Sequence, residues 1–177
     1  MNKIEIPLSK TKIVLALIGA FGFVILGIFF IINPGTFLSP IMKSEVIIRI
    51  VGVISVLFFG AVAIYAIKKM LDNKVGLTID DNGIIDNTNA SSVGLIKWSD
   101  ITEITTKQVM STKFLLIFTK DPHDILEKVS WIKRKLMAAN MKMYGTPLCI
   151  TSSTLKYNFS DLEKLMKDRL NEQRVKN

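Results

Sequence analysis

The chain of 177 residues is 49% hydrophobic, has a mean hydropathy of +0.37 and carries a formal charge of +8. Most of the apolar excess lies before residue 70, which argues against a wholly soluble chain and for one membrane unit followed by a domain of about 100 residues, large enough for a core of its own. A single cysteine, Cys149, excludes an intramolecular disulfide, and the single histidine, His123, has no second His or Cys with which to hold a metal.

Ile13 to Ile32 is an uncharged run of twenty residues. At 1.5 Å per residue, such a helix crosses the roughly 30 Å hydrocarbon core. Asn33-Pro34-Gly35 then stops it. A second uncharged run, Ile50 to Ile67, extends back to Val46 if Arg49 turns toward the interface. Membrane helices are therefore expected at about 13–32 and 46–67, and the short connection between them imposes a hairpin. A cleaved signal peptide fits the first run less well, because its apolar stretch is too long and no small-residue cleavage site follows. No Asp, Glu, Lys, Arg or His lies in the middle of either run. The pair therefore reads as an anchor, without the ionisable groups of a transport pathway.

Charge placement sets the expected orientation. Lys3, Lys10 and Lys12 precede the first run and Lys68, Lys69 and Lys74 follow the second, against Lys43 and Arg49 in and beside the loop. The positive-inside rule then puts both termini in the cytoplasm. Residues 1–74 hold eight basic and three acidic residues, and residues 75–177 hold fifteen and twelve. The basic excess sits beside the apolar runs, as anionic headgroups favour, and no nucleic-acid partner is expected. Small residues gather on one face of each helix (Ala16, Gly19, Ala20 and Gly27; Gly52, Ser55, Gly60, Ala63 and Ala66), the faces through which the hairpin is expected to pack or to self-associate.

From Val75 the pattern changes to short alternating runs. Strands are predicted at 75–79, 83–86, 93–98, 101–109 and 113–119, with Asp80-Asp81-Asn82-Gly83 as a turn. Asp121-Pro122 opens a helix expected to run to about Met143, with Ile125, Val129, Ile132 and Leu136 as its apolar stripe and Leu126 and Met137 at the edges. Further strands are predicted at 147–151 and 154–158. Ser160-Asp-Leu-Glu163 reads as a capping box for a last helix over 161–173, whose stripe is Leu162, Leu165, Met166 and Leu170 and for which Phe159 supplies a hydrophobic staple. The fold class expected is a two-helix transmembrane hairpin over 1–74 and an α+β domain over 75–177: an antiparallel barrel or sandwich with an inserted helix and a C-terminal capping helix.

The segments Leu77-Thr-Ile-Asp80, Asn82-Gly-Ile-Ile-Asp86, Gly94-Leu-Ile-Lys-Trp98-Ser-Asp-Ile101, Tyr144-Gly-Thr-Pro147 and Tyr157-Asn-Phe-Ser-Asp161 carry a resemblance. The chain resembles a family of small bacterial membrane proteins in which a two-helix anchor precedes a bacterial pleckstrin-homology-like (PH-like) domain. The resemblance implies that fold and a bacterial inner-membrane location, and brings no established activity. PH domains that bind phosphoinositides carry a basic loop between their first two strands. The corresponding turn here, 80–83, is acidic, which argues against inositide recognition of that kind.

Candidate chemistry is sparse. Trp98 reads as a packed strand-end aromatic. Asp80, Asp81 and Asp86 lack a calcium-loop spacing, Ser152-Ser153-Thr154 lacks a positioned base, and Cys149 sits in an apolar run as a core residue. No cofactor and no catalytic residue are assigned. The strongest functional feature is the basic amphipathic helix near 122–143, with Lys128, Lys133, Arg134, Lys135 and Lys142 around Trp131. Together with Lys68, Lys69 and Lys74 it is a candidate contact for an anionic membrane surface, although a helix packed on the barrel with solvated lysines is the preferred reading. A non-enzymatic membrane-anchored binding module, for a protein partner or the lipid surface, is the function expected. The alternative is an enzyme or accessory subunit of an envelope process or transporter complex.

Overall fold

A computed structural model describes residues 3–110 and 112–176. They form two compact units: a helical unit, Lys10–Asn73, and a domain assembled from the N-terminal residues up to Ser9 and the chain from Lys74 onward.

The helical unit consists of α1 (Lys10–Ile32), a 3-10 turn at Pro34–Phe37 and α2 (Glu45–Leu71). Both helices are long and apolar enough to cross a membrane, and each runs a few residues beyond the uncharged stretch that marked it. The residues turned inward recur at steps of three or four: Ile13, Leu17, Ala20, Val24 and Gly27 on α1, and Ile48, Gly52, Ser55, Phe59, Ala63 and Ala66 on α2. That spacing places one seam of each helix against the other. The helices approach closely at Gly27 and Gly52, where a Cβ on Gly52 would lie 2.7 Å from the Gly27 carbonyl oxygen. Only part of each expected small-residue face takes part. Ala16 and Gly19 are exposed, and a Cβ on Gly19 or Gly60 would meet nothing within 4 Å. Ser55 Oγ donates to the Phe23 carbonyl at 3.1 Å, and the Phe23 and Phe59 rings stack at 4.3 Å.

Among its described residues the domain holds seven strands: β1 (Ile4–Ile6), β2 (Leu77–Ile79), β3 (Gly83–Asp86), β4 (Gly94–Lys97), β5 (Ile101–Val109), β6 (Thr112–Thr119) and β7 (Leu148–Ile150). They make two antiparallel sheets, β1-β2-β3-β4 and β5-β6-β7, in keeping with the antiparallel α+β domain expected. The domain is also not confined to 75–177. Ile4, Glu5 and Ile6 pair with Ile79, Thr78 and Leu77, so the two long helices are an insertion between the first two strands. The sequence pattern passes over β1 because it lies apart from the other strands, just before the apolar run of α1. Ile6 is nonetheless buried in the core with Leu77, Ile79, Ile84, Leu115, Ile117 and Ile150.

Three helices cover the sheets. The predicted helix over 122–143 is two helices, α3 (Pro122–Glu127) and α4 (Trp131–Tyr144). Asp121 caps α3 as expected, its carboxylate accepting from the His123 and Asp124 N–H groups. Val129 and Ser130, weak helix formers, sit at the break. Arg134 closes it by donating to the carbonyls of Leu126 and Glu127, the free acceptors at the end of α3. Gly145, at φ +80°, ends α4 with its N–H on the Met141 carbonyl. The last helix, α5 (Phe159–Lys176), starts earlier than predicted. Asn158, not Ser160, caps it: the Asn158 side chain accepts from the Ser160 N–H, and Glu163 pairs with Lys167 at 2.7 Å instead of closing a capping box. Leu162, Met166 and Leu170 are buried and Leu165 is packed against them. The strand predicted at 154–158 is a 3-10 turn, Ser152–Thr154, followed by a single bridge between Leu155 and Leu8.

Candidate functional site

The basic helix is the first place to look, and the structure divides its cations. Lys128 is held by Asp124, which raises its pKa through that hydrogen bond. Lys133 is half-buried and donates to the Ser92 carbonyl at 2.7 Å, and Arg134 is committed to α3. Lys135 lies 4.1 Å over the Trp131 ring, and Lys142 is exposed. On the other segment, Lys68 and Lys74 are exposed, whereas Lys69 is buried and paired with Asp72 at 3.3 Å, so it is not displayed to a surface. The candidate contacts Lys68, Lys69, Lys74, Lys128, Trp131, Lys133, Arg134 and Lys135 are thus not one patch of displayed charge.

The apolar residues of α4 also face differently from the expected stripe. Met137 reaches the core and is fully buried, while Ile132 and Leu136 are 65% and 44% exposed. The break at 128–130 re-phases the helix, so that Ile125, Leu126 and Val129 pack inward and the residues after it do not continue their stripe. Trp131, Ile132, Leu136 and Met143 therefore form an exposed arc beside Lys135 and Lys142. α4 contains four basic residues and no acid. Such an arc is the composition of a helix lying in a membrane interface.

A second feature is the edge at which the chain leaves the domain. Three residues separate β1 from α1 and five separate α2 from β2. Around these exits lie the loop after β3 and the 3-10 turn at 152–154. The Ser9 N–H donates to the Thr154 carbonyl, the Lys156 N–H to the Pro7 carbonyl, and the Asn87 N–H to the Gly76 carbonyl. A polar network fixes the loop. The Asp86 carboxylate accepts from the Thr88 N–H and the Ser92 hydroxyl, Asn89 reaches the Cys149 carbonyl, and the Thr154 hydroxyl donates to the Thr88 carbonyl. Lys133, bonded to Ser92, ties the start of α4 to this edge. Beside the 3-10 turn, Thr112, Lys113, Ser152, Ser153 and Phe159 line an open notch of about 210 Å³.

The remaining candidates have structural partners. Trp98 is buried in a 3-10 turn after β4, and its Nε1 donates to the Asp80 carbonyl at 2.8 Å. Asp80 accepts from the Asn82 and Gly83 N–H groups and so shapes its own turn. Burial, reinforced by the Asp86 charge, pushes the Cys149 thiol up to about 11, away from thiolate chemistry at neutral pH. Among the described residues no three His, Cys, Asp or Glu side chains come together as a metal site. Spacing shows neither the exposed arc of α4, which depends on which side of α4 the domain covers, nor the exit edge, which depends on the pairing of β1 with β2. Compared with known proteins, the chain matches no family model, no curated protein and no solved structure.

Proposed function

We propose that this chain is a non-enzymatic, membrane-anchored binding module of the bacterial inner membrane, carrying a PH-like domain on the cytoplasmic face that meets the anionic lipid surface through the outer arc of α4. One observation carries the reading: the two apolar helices are inserted between β1 and β2 of the domain. Because β1 and β2 are hydrogen-bonded neighbours, residues 4–6 and 77–79 share one side of any membrane the helices cross. This same-side argument is independent of charge, and the lysine excess at the flanks then favours the cytoplasm.

A four-stranded and a three-stranded antiparallel sheet, followed by a C-terminal helix with its apolar stripe in the core, support the PH-like assignment. In that assignment the connection between the first two strands is the helical insertion. The acidic turn 80–83 joins the second strand to the third, so its charge bears on another loop. The place where phosphoinositide-binding domains hold a basic loop is occupied here by the anchor.

Labelling with a membrane-impermeant thiol reagent tests the orientation, using Cys149→Ala protein in intact cells. A Lys43→Cys variant is expected to react from outside and a Lys120→Cys variant only after permeabilisation. Reaction of Lys120→Cys in intact cells overturns the reading. For α4, a probe at Leu136→Cys in nanodiscs is expected to be quenched by lipid-borne quenchers when anionic lipid is present. A probe shielded only on adding a soluble protein fraction would point to a protein partner instead.

A further inference from the structure

The β5–β6 hairpin extends beyond the sheet that supports it. β7 pairs only with Leu115, Leu116 and Ile117 of β6, so the strands continue past the last β7 pair for three residues on β6 and the matching residues of β5, about 10 Å. At the end of this arm Met110 is 92% exposed and Val109 is also exposed. Met110 has φ +53°, a left-handed conformation in which Gly or Asn is the inexpensive choice. Gln108 steadies the tip by donating from Nε2 to the Met110 carbonyl at 2.8 Å. Folding by itself does not explain a large apolar side chain at an exposed, left-handed turn position.

The arm emerges at the exit edge. β6 begins where β7 ends, because the strands are antiparallel, and β7 runs directly into the 3-10 turn at 152–154. Thr112 and Lys113 share the notch with Ser152 and Ser153, one or two residues from Thr154, which bonds Ser9. Ser9 adjoins the first residue of α1. Lys107 and Lys113 flank the tip, exposed on opposite faces of the arm, and Lys156 and Lys74 are exposed on the same edge. The carboxylate that feels Lys113, Glu163, is engaged by Lys167.

We propose that the β5–β6 tip is a second membrane contact, in which Val109 and Met110 enter the headgroup boundary of an anionic leaflet while Lys107 and Lys113 engage its phosphates. An apolar point with a basic collar matches that interface in both polarity and charge, and its place beside the exits keeps it within reach of the bilayer. The inference rests on the anchored reading above and names a surface that reading does not need.

The test uses the full chain in nanodiscs containing phosphatidylglycerol, in a Cys149→Ala background, with an environment-sensitive fluorophore on one introduced cysteine at a time. With Met110→Cys and, as a second site, Val109→Cys, emission is expected to shift to the blue. Shallow spin-labelled lipids should quench it, as expected for a side chain at the headgroup boundary. With Lys120→Cys, at the opposite end of β6, emission should match that in water. With Ile18→Cys, in the middle of α1, deep spin labels should quench. Deep quenching at 18 with water-like emission at both 109 and 110 overturns the tip contact and leaves the anchor standing. Absence of quenching at 18 overturns the anchor, and the tip contact falls with it. Sites 109 and 110 protected from iodide but unquenched by lipid indicate a protein contact and also overturn the proposal.

Discussion

Two amphipathic helices of the domain, α5 and α4, look alike in sequence and behave differently. Each shows an apolar stripe at helical spacing among charged residues. In α5 the stripe is the core: Leu162 and Met166 are fully buried. In α4 the residues read as a stripe, Ile132 and Leu136, stay exposed, and Met137, read as an edge position, takes the core place. Periodicity therefore identifies a face but not the surface that covers it. One three-residue break, held by Arg134, is enough to turn a helix so that apolar side chains face out.

That contrast can be broken or sharpened experimentally. The largest effect is expected in α5: Leu162→Ala and Met166→Ala should each cost about 2–5 kcal/mol in the chemical unfolding of the domain. A loss near zero would mean that α5 does not close the core. Ile6→Ala should follow at about 2–4 kcal/mol, an effect on the domain from a residue before the long helices. If unfolding is unchanged, β1 is not a working strand. Met137→Ala is expected at about 2–3 kcal/mol, whereas the double variant Ile132→Ser, Leu136→Ser should change stability by less than about 0.5 kcal/mol and weaken the quenching of the α4 probe by anionic nanodiscs. Equal destabilisation by the two α4 changes would erase the distinction drawn between its faces.

The smallest effect concerns the exposed side of α5. Lys167 holds the Glu163 carboxyl below the usual range. A depressed carboxylate contributes stability above its unfolded value and loses it as pH falls through the folded value. Glu163→Gln should therefore cost only about 0.3–0.5 kcal/mol at neutral pH and nothing once the solution is acid enough to protonate the native carboxylate. A pH-independent cost would assign the effect to packing.

Much of the fold was legible because it depends on local chemistry. The two apolar runs mark α1 and α2 through length and the absence of charge. Asp121-Pro122 marks the start of α3, and Asp80 to Gly83 marks a turn. The stripe of α5 was correct because an uninterrupted helix keeps its phase. Several readings failed where one residue's role depends on a distant one. The strand read at 154–158 is a bridge because Leu155 meets Leu8; the local exception is Ser160, which is not a cap because Asn158 takes that position first. Lys133 and Arg134 were read as surface charge, whereas their partners are carbonyl oxygens of Ser92, Leu126 and Glu127. Neither exposed feature could be placed from spacing: the arc of α4 follows from the break, and the β5–β6 arm from how few residues β7 pairs.

By itself the sequence determined that the chain has two helices able to cross a membrane and a small α+β domain with antiparallel strands. Apolar length, strand alternation and turn residues act within a few residues of each other, so they are readable in order. Only the tertiary structure decided that Ile4–Ile6 belongs to the domain, which makes the long helices an insertion and puts their two ends on one edge. Strand pairing between residues about 70 apart leaves no local trace. The same is true of exposure: hydrophobicity is a property of a residue, but burial is a property of what the rest of the chain places over it.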